Sequence, residues 1–296
     1  DDISPDNLIR QSINLIAKFP TIIAYAYQVL RHDTLGRSLH VRPPLENCSV
    51  AENFLFMMKG RDSYTELDVK ILDLALILHA EHGGGNNSTF SVRVTSSTET
   101  DTYSAIAAGI GSLKGPLHGG ANIKVQGMFD DMKKHVSNWK DTDQVDDYLR
   151  KIMNKEAFDR TGLIYGIGHA VYTVSDPRAI LLKEMARDLA KEKGREDEFE
   201  FMELVEERAT HVFLETKKRH AKGNVCINVD FYSGFVYDAI GLPSDVFTPL
   251  FAMARIVGWS AHRIEEMNFA SKRLIRPAYK NVREKQDFIP LNQRTV

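Results

Sequence analysis

Thr65-Glu66-Leu67-Asp68, the apolar stretch 69–82 behind it and Gly83-Gly84-Gly85 after that decide the fold class. Thr65 with an acid three residues on approximates a capping box, a side-chain oxygen for orphan N–H groups and a negative charge at the positive end of a helix. Between 69 and 82 apolar residues fall on nearly every face of a helical wheel, which predicts a helix deep in the core, ended by the three glycines. Outward from it the helical period recurs. Residues 104–113 are small and apolar, and Tyr148, Leu149, Ile152 and Met153 repeat at helical spacing. Asp176-Pro177 supplies a cap and a pre-set first turn for a helix running to Gly194. Residues 198–222 predict another helix, closed by Gly223, and Pro243-Ser244 opens a last long one with Phe247, Leu250, Phe251, Ala254 and Val257 on one face. Strand signals are confined to 91–96 and 224–230, with no strand–helix alternation. The chain reads as all-α.

At 296 residues with 43% hydrophobic and 26% charged positions, the chain can bury a large core, which excludes disorder and low complexity. Lys+Arg 38 against Asp+Glu 40 gives a net charge of −2, so no bulk field draws it to nucleic acid or an anionic membrane. Any anion must be held by locally placed cations. Cys48 and Cys226 cannot build a disulfide framework and suit a reducing compartment. No uninterrupted apolar run approaches ~18 residues, so on run length nothing spans a bilayer. The opening Asp1-Asp2, without Met, reads as a processed product or a piece of something longer. Charged residues concentrate between 130 and 222, with apolar flanks at 67–120 and 243–258, which predicts a smaller, solvated lobe set into a larger core.

Ten histidines invite a metal reading, but no His-Glu-x-x-His or Glu-x-x-His spacing exists, and Gly109-x-Gly111 lacks the preceding strand of a dinucleotide fingerprint. Four clusters carry more. His79 and His82 stand i, i+3 on the predicted helix, where one core histidine and one C-terminal cap is the plainer reading. His118 sits among glycines in Gly115-Pro116-Leu117-His118-Gly119-Gly120-Ala121-Asn122. Near a helix start its imidazole would stay neutral and could polarise a carbonyl; the plainer reading is a tight turn. Gly166-Ile167-Gly168-His169 precedes Asp176-Pro177-Arg178, whose arginine offers a fork for a carboxylate. Asp230, within the aromatic run 228–234, would have a raised pKa if buried, which suits a general base; it could equally be a helix cap. Together they suit proton removal beside a carbonyl, with the oxyanion held by imidazole, on a substrate bearing carboxylates.

In this order, the runs 115–122, Gly168-His169-Ala170-Val171-Tyr172 with Asp176-Pro177-Arg178, and 228–234 resemble the three catalytic segments of the citrate synthase family. The similarity extends to Phe288-Ile289-Pro290-Leu291. The resemblance implies an all-α, homodimeric, cytoplasmic acyltransferase of the tricarboxylic acid cycle. Its large domain would comprise 1–120 and 243–296, with a small domain, 121–242, inserted. It implies that His118 hydrogen-bonds the thioester carbonyl of acetyl-CoA, Asp230 removes a methyl proton, and His169 donates to the oxaloacetate ketone. Water would then hydrolyse citryl-CoA to citrate and CoA. His82, His169, Arg178 and Arg255 would contact oxaloacetate, joined by Arg276 from the neighbouring subunit. No cofactor or metal is implied, since coenzyme A enters as part of the substrate.

This sequence departs from the family pattern in several places. Thr173 stands where many members carry a basic residue, and Ile227 replaces a common proline. One extra residue between Arg255 and Arg276 makes Arg273 an alternative for the donated arginine. A helical segment of the large domain would precede residue 1. A 2-methylcitrate synthase using propionyl-CoA, a citryl-CoA-cleaving relative and a non-catalytic fragment are the competing readings.

Overall fold

The computed structural model describes residues 2–168, 174–216, 226–271, 273–282 and 284–294, and the described residues form eleven α-helices and one isolated β-bridge. Helix α1 (Pro5–Leu35) opens on a proline in its first turn; α2 (Val50–Lys59) is capped by Ser49, whose side chain accepts from the Glu52 N–H. In α3 (Glu66–His79) the capping box is complete, with Thr65 and Asp68 each accepting from the other's backbone N–H. α4 (Asn87–Ser96) and α5 (Thr102–Leu113, capped by Asp101) form a hairpin. α11 (Phe247–Met267) lies against α1, α3, α4 and α5 and buries Trp259 and Ile256 completely.

The remaining helices pack on one another: α6 (Ala121–His135), α7 (Thr142–Met153), α8 (Pro177–Lys193), α9 (Glu196–Thr216) and α10 (Asp230–Ala239). α10 contacts α6 and α8, while α9 contacts α7 and α8. Ion pairs tie them together, Arg208–Asp146 at 2.5 Å between α9 and α7 and Lys183–Glu206 at 2.8 Å between α8 and α9. α8 and α10 also reach α3, so one hydrophobic core runs through all the helices.

Several expectations need correction. Residues 91–96 are helical, not a strand. Their β-branched residues belong to α4, where Ser88, Thr89, Val92 and Ser96 are buried at helical spacing; tertiary packing overrides β propensity. Only Ile227, bridged to Ile167, pairs as a strand would in 226–230. α3 stops at His79, three residues early, because α11 takes the carbonyls that would follow. Arg255 Nε donates to His79 O at 2.8 Å, and the Gly258 N–H donates to Ala80 O at 3.1 Å. Its burial is one-sided, with Ile77 64% exposed. On α11, Val257 faces solvent. The helix expected over 198–222 begins at Glu196, and 217–225 lies outside the described residues.

α1 also meets the length and mean-hydropathy (1.2) criterion for a bilayer span, which the run-length reading misses because charged residues interrupt it. In this fold one face of it is buried, through Leu8, Phe19, Ile23, Ala24 and Gln28 with α2 and α11 packed against it, while Ile9, Ile13, Ile22 and Leu35 are exposed.

Candidate active site

A cleft of about 620 Å³ opens where the loop after α3, the turn before α6, the starts of α8 and α10 and the middle of α11 converge. Five expected site residues line it: His82, His118, Arg178, Asp230 and Arg255. His82 sits on the loop rather than on α3, so it shares no helix face with His79. His79 is the core histidine, its ring edge-on to Phe251 at 4.8 Å; burial lowers its pKa to about 4. His169 and Thr173 lie outside the described residues. Arg276 and the alternative Arg273 are exposed on the segment after α11 and do not line the cleft. Among the described residues no three His, Cys, Asp or Glu side chains come together as metal ligands.

His118 is set by its glycines. Gly119 packs so tightly that a Cβ would collide with Leu113 O and lie 2.8 Å from Thr248 Cγ2, which pins the turn against α5 and α11. Ser88 fixes the tautomer. Its N–H donates to His118 Nε2 at 3.3 Å, and its hydroxyl lies 2.9 Å from the same nitrogen. Nε2 is therefore the acceptor, and Nδ1 carries the proton of a neutral ring. Burial, then the Arg255 charge, lowers the His118 pKa. Asn86 and Trp259 hold the Ser88 hydroxyl in turn, at 2.9 and 3.2 Å. The sequence reading missed Ser88; its only local signal was the Gly- and Asn-rich run before it.

Asp230 is the first residue of α10. Its position depends on Gly166, at φ 80°, where a Cβ would lie 2.8 Å from Phe231 Cδ2. There the chain pairs with 226–228: the Asn228 N–H donates to Gly166 O at 2.9 Å and the Gly168 N–H to Cys226 O at 2.7 Å. The Asp230 carboxylate has no hydrogen-bond partner among the described residues, and burial pushes its pKa up to about 6. Nearby Arg178 and Arg255 oppose that rise.

Arg255 lies under Phe251, 4.8 Å from the ring centroid, and donates from Nη1 to Asn86 Oδ1 at 3.1 Å. Burial lowers its pKa to about 10, so it stays cationic at neutral pH. Arg178 pairs with Asp176 at 2.8 Å. The cleft thus joins a neutral N–H donor, a carboxylate poised to take a proton near neutral pH, and two guanidinium groups. That set can deprotonate a carbon beside a carbonyl and hold an anionic second substrate.

Similarity to known proteins identifies the family. Residues 1–278 match the family model of the citrate synthase C-terminal domain. A citrate synthase of Acidithiobacillus ferridurans is 40% identical over 294 residues, which is 98% of this chain and 68% of the relative. A 2-methylcitrate synthase of Corynebacterium glutamicum is 37% identical over 292 residues, 95% of this chain and 67% of the relative. A solved citrate synthase of Thermoplasma acidophilum, in a ternary complex with carboxymethyl coenzyme A and oxaloacetate, superposes with a TM-score of 0.80. It is 30% identical, over 99% of this chain and 71% of that one. Fold, cleft and sequence similarity converge: the chain belongs to the citrate synthase family, enzymes that transfer an acyl group.

Proposed function

We propose that this protein is a citrate synthase, condensing acetyl-CoA with oxaloacetate and water to give citrate and CoA. The observation that carries the reading is the pairing, in one cleft, of a neutral His118 with a half-buried Asp230 whose pKa desolvation raises to about 6. His118 Nδ1–H donates to the thioester carbonyl while Asp230 takes a methyl proton. The resulting enol or enolate attacks the oxaloacetate ketone. His169 donates to that oxygen as it becomes an alkoxide, and water cleaves citryl-CoA. Losing one donor to such an oxyanion costs about 2.7–4 kcal/mol, which is why a weak carboxylate base needs His118.

Oxaloacetate is a dianion, and His82, Arg178 and Arg255 supply its local counter-charge and hydrogen bonds. The reading includes a homodimer in which Arg276 completes the neighbouring site. Its support is the exposure of Arg276 away from its own cleft and of apolar side chains on α4, α5 and α6, namely Phe90, Tyr103 and Ile123. It also includes a division into 1–120 with 243–296 and 121–242, closing around substrate. No resident cofactor or metal is part of the scheme. The reading includes a cytoplasmic location.

A second reading, 2-methylcitrate synthase, is favoured by the 37% identity to such an enzyme. One methyl in an acyl pocket is worth only about 1–3 kcal/mol. Turnover with acetyl-CoA and propionyl-CoA, side by side, tests both. A higher kcat/KM for acetyl-CoA supports the first reading, the reverse order supports the second, and no turnover with either overturns both.

A further inference from the structure

Asp176 looks in the sequence like a helix cap, and it is one: its Oδ1 accepts the Arg178 N–H of α8 at 3.0 Å. The same carboxylate does more. Oδ1 also accepts from Arg178 Nε at 3.0 Å, and Oδ2 accepts from Arg178 Nη2 at 2.8 Å. Oδ2 further accepts the Val229 N–H, at 3.1 Å, from the residue immediately before Asp230. The carboxylate is wholly buried, with its side chain 0% exposed, and the Arg178 side chain is 12% exposed. One fixed anion thus holds the plane of a cleft guanidinium with a two-point fork and ties it to the backbone that presents the base. A cap needs only the first of these four bonds.

The fork also answers a charge problem. Arg178 and Arg255 line the same cleft, and each cation disfavours the other. Without the two-point fork the Arg178 guanidinium would lose its fixed plane, and ordering it again would weaken substrate binding. We propose that Asp176 is a positioning residue, which acts through Arg178 to pre-set the guanidinium for a substrate carboxylate and through Val229 to register Asp230 against it. This rests on the reading of the cleft as an oxaloacetate site.

The test separates capping from positioning. Asp176→Ser keeps an oxygen able to cap α8 but is too short for the fork. Its expected effect is a rise of about tenfold or more in the KM for oxaloacetate, with the KM for acetyl-CoA within about twofold. The double variant Asp176→Ser/Arg178→Gln is expected to have an oxaloacetate KM within about twofold of Arg178→Gln alone, since on substrate binding both changes act through the same guanidinium; loss of the Val229 bond should show in kcat instead. An unchanged KM in Asp176→Ser, or losses that multiply in the double variant, would overturn the proposal. Should Asp176→Ser fail to fold by circular dichroism, Asp176→Asn takes its place in the same cycle.

A second readout needs no turnover. The Arg178 Nε–H resonance, assigned by its loss in Arg178→Gln, is expected to exchange slowly in the parent and rapidly without the Asp176 fork. Equal exchange in both sinks the clamp whatever the reaction proves to be. A protected resonance in a parent that does not turn over sinks the oxaloacetate reading instead.

Discussion

In the proposed mechanism, their surroundings suit Asp230 and His118 to different steps. An amide at 230 is nearly isosteric but takes no proton, so Asp230→Asn is expected to lower kcat by about 10²–10⁴-fold while keeping the fold. Steady-state kinetics beside circular dichroism check this. In the parent, kcat is expected to fall as pH drops through about 6, where the carboxylate takes up its proton. The same shift has a stability sign. With the folded pKa raised above its ordinary 3.8, the folded state holds this proton more tightly than the unfolded chain between about 4 and 6. Ionisation therefore costs stability as pH rises through that window. Asp230→Asn should have a higher Tm than the parent at pH 8, with the gap closing below about pH 4. Equal Tm at pH 8 would mean the carboxylate is well solvated. His79 runs the other way. Its folded pKa, about 4 against 6.5, leaves the unfolded chain binding more protons in between, so stability is lost as pH falls through that range. His79→Gln should flatten that dependence in urea titrations at stepped pH.

At the scale of elements, the short pairing of 166–168 with 226–228 decides where α10 begins and hence where Asp230 points. Gly166→Ala would strain a positive φ and push a methyl into Phe231, at a cost of about 1–3 kcal/mol, and should slow turnover beyond what lost stability explains. A folded variant with parental kcat would show that the pairing does not set Asp230. Local signals made several elements legible. Thr65, Asp176 and Pro177 announced α3 and α8, and small apolar residues announced α5. His118 and Asp230 stood out because glycines or aromatics surround groups that titrate. Other features depend on partners far along the chain. α4 looked like a strand until α5 and α11 are packed on Val92 and Ser96. α3 looked three residues longer because nothing near His79 reveals that Arg255 and Gly258 claim its last carbonyls. α6 entered only as a conditional helix start near His118, because Gly120 gives it no side-chain cap, and the charge-interrupted α1 hid its apolar length. His82 therefore reached the cleft for a reason different from the expected one, off the helix instead of on it.

For the whole molecule, the exposed Arg276 makes the proposed sharing of the site testable. Asp230→Asn chains mixed with Arg276→Ala chains should regain activity, because a hybrid dimer holds one site with both residues intact. Random mixing makes half the dimers hybrids, so up to about a quarter of parental activity should return. No recovery, with subunit exchange confirmed by mass spectrometry, would place Arg276 outside the neighbouring site. If 121–242 closes on the rest as proposed, solution scattering should show compaction with oxaloacetate and a CoA analogue together, since excluding water protects an enolate. An unchanged scattering profile would argue for a cleft that works open. The central claim is that this cleft makes a carbon–carbon bond from a thioester methyl through Asp230. Acetyl-CoA labelled with ¹³C at the methyl, mixed with oxaloacetate and the protein, tests it directly by NMR. The methyl signal should give way to the methylene of citrate as free CoA thiol appears in equal amount, and Asp230→Asn should leave the methyl intact. A persistent methyl signal with folded parent protein, or equal conversion by Asp230→Asn, would contradict the account.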